Sequence, residues 1–90
     1  MRTRRELERL WAERVLTARL SYYLATLQLK QVLSEQEKSP PPELDRRKAI
    51  RNARQDESAA QNEYMRSVKI FSDLVLYGKL PEQRLKVLRP

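Results

Sequence analysis

Arginine and lysine are the residues here with the plainest chemical use. Arg47, Arg51 and Arg54 recur at steps of four and three, which sets three guanidinium groups on one side of a helix, where they would suit phosphate oxygens. The plainer alternative is a solvated helix face balanced by Glu43, Asp45, Asp56 and Glu57. A second basic set lies at the two ends: Arg2, Arg4, Arg5 and Arg9 near the start, and Lys79, Arg84, Lys86 and Arg89 near the finish. These ends hold most of the net charge of +7, and a fold that joined them would make a cationic patch. Counterion release would reward such a patch with salt-dependent, sequence-blind binding of nucleic acid or another polyanion.

Other chemistry is limited by what the chain lacks. It contains no cysteine and no histidine, which removes disulfides, Cys/His zinc sites, and thiol or imidazole catalysis. Carboxylates and four tyrosines remain, but none falls into a constellation that would converge in a pocket. No catalytic residue, metal, cofactor or small-molecule substrate is therefore expected. The basic residues also come without helix-turn-helix spacing, an aromatic platform or a glycine-rich loop, so nucleic acid ranks second among expected partners.

The elements that must position these groups read as helices. With 40% hydrophobic and 34% charged residues and a single glycine, the 90-residue chain reads as one all-α domain spanning 1–90. Thr3 followed by Glu6 has capping-box spacing, and good helix formers run from about Arg4 to Glu37. The Pro-rich stretch at 38–42 ends that helix, because consecutive prolines remove donors and push the preceding residue out of the helical region. A second helix is expected over about 43–77, closed by Gly78 in a left-handed cap and by Pro81. The tail, 81–90, is expected to be a short helix or frayed.

Two helices of similar length with a short loop should pack antiparallel, as a coiled-coil-like hairpin. Leu7, Trp11, Val15, Ala18, Tyr22, Ala25, Leu29 and Val32 form the seam of the first helix. A fold-back at Pro41 pairs residues whose numbers sum to about 82: Leu7 with Val75, Trp11 with Phe71, Val15 with Ser67, Ala18 with Tyr64, Tyr22 with Ala60, Leu29 with Ala53, and Val32 with Ile50. Bulky residues mostly meet small ones, as close packing requires. Glu57 falls opposite Ala25 and is expected to reach solvent or the Tyr22 hydroxyl. Leu10, Ile70 and Tyr77 sit off this seam.

The first helix carries a second apolar stripe on the far side, formed by Leu16, Leu20, Tyr23, Leu24 and Leu27. A surface helix normally carries one such stripe. Full burial is worth about 1.5–3 kcal/mol per residue of this size, against an association cost of about 4–15 kcal/mol. The stripe is therefore expected to form a homodimer, an antiparallel four-helix bundle, with another helical protein or a lipid surface as alternative occupants. The Arg19, Gln28 and Lys30 interruptions rule out a bilayer span, and Met1–Arg9 has no secretory pattern, so a cytoplasmic location is expected. Replacing Arg4, Arg5, Lys86 and Arg89 by Gln is expected to leave folding intact.

The run Glu63-Tyr64-Met65-Arg66-Ser67-Val68-Lys69-Ile70-Phe71-Ser72-Asp73-Leu74-Val75-Leu76-Tyr77-Gly78-Lys79-Leu80-Pro81 resembles the C-terminal segment of small uncharacterised bacterial helical-hairpin proteins. The likeness covers about a fifth of the chain and implies no activity. In its Ala-rich helix closing on Tyr, Leu and Gly, the chain is also loosely similar to the hairpins of outer-membrane efflux ducts. Neither that family's strands nor its signal peptide is expected here, so the resemblance implies no duct function. The reading reached is a non-catalytic interaction or scaffold module that self-associates, with polyanion binding at the joined termini as the alternative.

Overall fold

The computed structural model describes residues 3–38 and 42–81. Helix α1 spans Arg4–Lys38 and α2 spans Glu43–Tyr77, and they pack against each other along their lengths. The described residues contain no strand. Each helix has 35 residues, which at about 1.5 Å per residue gives roughly 50 Å and accounts for the 54 Å long axis of the molecule. No helix among the described residues is long and apolar enough to cross a membrane.

Helix ends follow the local chemistry. The Thr3 hydroxyl accepts the Glu6 N–H at 3.1 Å and the Thr3 carbonyl accepts the Leu7 N–H at 3.0 Å, so Thr3 caps one free N–H of the first turn and opens the α1 ladder. At the start of α2, Pro42 stands at the cap with no side-chain hydrogen bond, and Glu43 and Asp45 place negative charge near the exposed N–H groups. Gly78 ends α2 at φ 67°, ψ 20°, a left-handed conformation open to glycine without steric cost. Its N–H donates to the Leu74 carbonyl at 3.0 Å, and the Lys79 N–H donates to the Asp73 backbone carbonyl at 3.2 Å.

The core is a narrow seam. Leu7, Ala18, Ala53, Ile70 and Leu74 are buried, as are Gln36 and Ser67. The Ser67 hydroxyl donates back to the Glu63 carbonyl at 2.8 Å, which lets a polar residue sit there. Gln36 donates from Nε2 to the Arg46 carbonyl at 3.3 Å and ties the end of α1 to the start of α2; residues 39–41 of the expected Pro-rich loop lie outside the described residues.

Three details of the register depart from the sequence expectation. Leu74 is fully buried and Val75 is 42% exposed, so Leu74 and not Val75 closes the seam. The reason is angular: after Phe71 a step of three keeps the side chain on the seam, whereas a second step of four carries it away. Ile70, expected off the seam, is buried. Tyr22 and Tyr64, expected to meet alanines, stack on each other with centroids 6.2 Å apart and planes at 27°. Glu57 is half-buried and so reaches solvent.

Arg4 fastens the open end of the hairpin. Its Nη2 donates to the carbonyls of Leu74 at 3.3 Å and Val75 at 3.2 Å, and its Nε contacts Glu8 at 3.2 Å. A guanidinium at a helix C-terminus supplies both missing donors and positive charge. Charged hydrogen bonds are worth about 1.5–3 kcal/mol, but the side chain is 56% exposed, so Arg4→Gln is expected to cost about 1 kcal/mol, read as a lower urea midpoint at unchanged slope.

Candidate self-association face

The far side of α1 is open. Leu16 is 62% exposed, Leu20 57%, Tyr23 60%, Leu24 54% and Leu27 43%, and all five lie within three and a half turns. The neighbouring tyrosines show how this arises: at about 100° per residue, Tyr22 turns its ring onto α2 while Tyr23 turns outward. Seam and face occupy opposite sides of α1, so α2 cannot cover both. Scattered exposed leucines are ordinary, but a contiguous row on one face is not.

The basic residues are placed less favourably than the sequence suggests. Arg2, Arg84, Lys86 and Arg89 lie outside the described residues, as does the expected tail beyond Pro81. Arg4 does approach the end of α2, with its guanidinium packed against Gly78, so the fold brings Arg5, Arg9 and Lys79 to one end, all exposed. Arg4 itself is engaged by carbonyls and by Glu8. Its replacement by Gln with the other end residues therefore costs stability and is not the neutral probe expected from sequence.

On α2, Arg47 pairs with Glu43 at 2.7 Å, an exposed ion pair of small energetic weight. Arg51 and Arg54 stand over a shallow groove that α2 makes alone, with Ile50, Ser58 and Asn62. A second groove runs between the helices, where Ala18, Ala60 and Ser67 are too small to fill the space; Trp11 rims it with Arg14 stacked 4.5 Å from its ring centroid. No group of three or more acidic residues among those described is arranged to hold a metal ion.

Helix α2 also exposes apolar residues, of which periodicity singled out only Tyr77. Met65 is 61% exposed and Leu76 68%, eleven residues and so about three turns apart on one side of the helix, with Tyr77 71% exposed nearby. Their spacing was readable, but polar residues between them leave no continuous stripe.

No protein-family model, curated protein or solved structure matches this chain. Its functional reading rests on its own geometry.

Proposed function

We propose that this chain is a non-catalytic protein–protein interaction module that self-associates through Leu16, Leu20, Tyr23, Leu24 and Leu27. The supporting observation is one row of five large apolar side chains, 43–62% exposed, on a helix whose other side is already packed. Two such rows facing each other cover on the order of 1,000 Å², the lower bound for a specific interface. A two-fold axis doubles every contact and closes the assembly at two copies. Because the two apolar sides of α1 are opposite, the four helices form a row with both α1 helices inside and α2 outside, in place of a square bundle.

Sedimentation equilibrium across micromolar concentrations tests this reading. The expected result is twice the 10.7 kDa monomer mass at low and at moderate salt, since apolar burial is not screened by ions. A folded monomer throughout would overturn it.

A further inference from the structure

The exposed face of α1 has a direction written in charge. Glu13, Leu16, Leu20, Tyr23, Leu27 and Lys30 recur at alternating steps of three and four, which makes them one heptad seam with Leu24 at its flank. Glu13 and Lys30 bound the apolar stretch at opposite ends, and both are exposed. No ion pair among the described residues engages either of them. Beyond them the same seam continues to Arg9 and Ser34, also exposed.

Two arrangements of a second copy treat these charges differently. In a parallel pair each residue meets its own counterpart, so Glu13 faces Glu13, Lys30 faces Lys30 and Arg9 faces Arg9. Like charges in seam positions destabilise, and here they would do so in three layers. In an antiparallel pair with the two-fold axis between Ser21 and Tyr22, Leu16 meets Leu27, Leu20 meets Tyr23, and Glu13 meets Lys30. Each apolar layer is filled by apolar side chains, and an ion pair closes each end.

We infer that the occupant of this face is a second copy of the chain bound antiparallel, with Glu13 of each copy paired to Lys30 of the other. This rests on the self-association reading above. The charges add little net affinity at exposed ends, and their role is to select orientation and register.

The chain contains no cysteine, so single substitutions install single thiols. Leu16→Cys and Leu27→Cys proteins, oxidised separately and after co-refolding as a mixture, read the orientation. The antiparallel dimer is expected to yield a covalent dimer in the mixture, composed of one copy of each variant, and little from either variant alone. Charge exchange gives a second reading: Glu13→Lys and Lys30→Glu are each expected to weaken dimerisation roughly tenfold, and their combination in one chain to restore it. A dimer by mass in which each thiol variant cross-links to itself would be parallel, overturning the inference while leaving self-association standing. A dimer by mass with no cross-link in any sample also overturns it, placing the interface elsewhere. A monomer by mass overturns both.

Discussion

A chain carrying both Leu20→Glu and Leu24→Glu is expected to sediment as a folded monomer. Leu20 lies in the layer next to the proposed two-fold axis and Leu24 flanks it, so the dimer would enclose four new carboxylates around its centre. A charge in an apolar site is expensive without a partner, and the leucine contacts are lost as well. The dissociation constant should rise at least about a thousandfold, which corresponds to roughly 4 kcal/mol. The hairpin itself should be untouched, because both side chains are more than half exposed within one copy and Glu is about as good a helix former as Leu. Unchanged far-ultraviolet circular dichroism with a halved mass is the expected pair of readings. A variant that remains dimeric would remove this face as the interface.

The second large effect concerns the seam that holds the hairpin together. Leu74 has no exposed surface, and truncation of such a leucine costs about 2–5 kcal/mol in lost transfer energy and residual cavity. At about 4–8 °C per kcal/mol for a domain of this size, Leu74→Ala should lower the thermal midpoint by about 10–30 °C. Val75→Ala, one residue along, should change it by only a few degrees, since that side chain is 42% exposed. Both must be measured at one protein concentration, because an associating protein melts at a concentration-dependent temperature. A larger effect at Val75 would mean that the seam ends as the simple antiparallel pairing had it.

The contrast between these neighbours shows which kind of information a sequence carries. Thr3 and Gly78 act on groups within a few residues of themselves, and α1 starts at Arg4, directly after the one, while α2 stops at Tyr77, directly before the other. The exposed row on α1 was likewise readable, because helical periodicity alone places Leu16 through Leu27 away from the seam. What the pattern leaves open is how far one helix slides and turns against the other. A fraction of a turn decides whether Leu74 or Val75 enters the core, whether Ile70 is covered, and whether Tyr22 meets Ala60 or Tyr64. Arg4 escaped for a related reason: its acceptors lie seventy residues away, and nothing in its neighbourhood distinguishes it from Arg2 or Arg5. Gln36 is similar, a polar side chain in the seam whose burial depends on a carbonyl of the other helix.

The clasp at Arg4 also bears on how the molecule opens and closes in time. Loop closure is cheapest between near neighbours, so contacts near the end of α1 and the start of α2 are expected to form before those where Arg4 reaches Leu74 and Val75. Bonds made after the rate-limiting step leave the rate of folding alone and set the rate of escape. Arg4 is thus expected to act as a latch on the free end, and Arg4→Gln to speed unfolding in stopped-flow while leaving the folding rate unchanged.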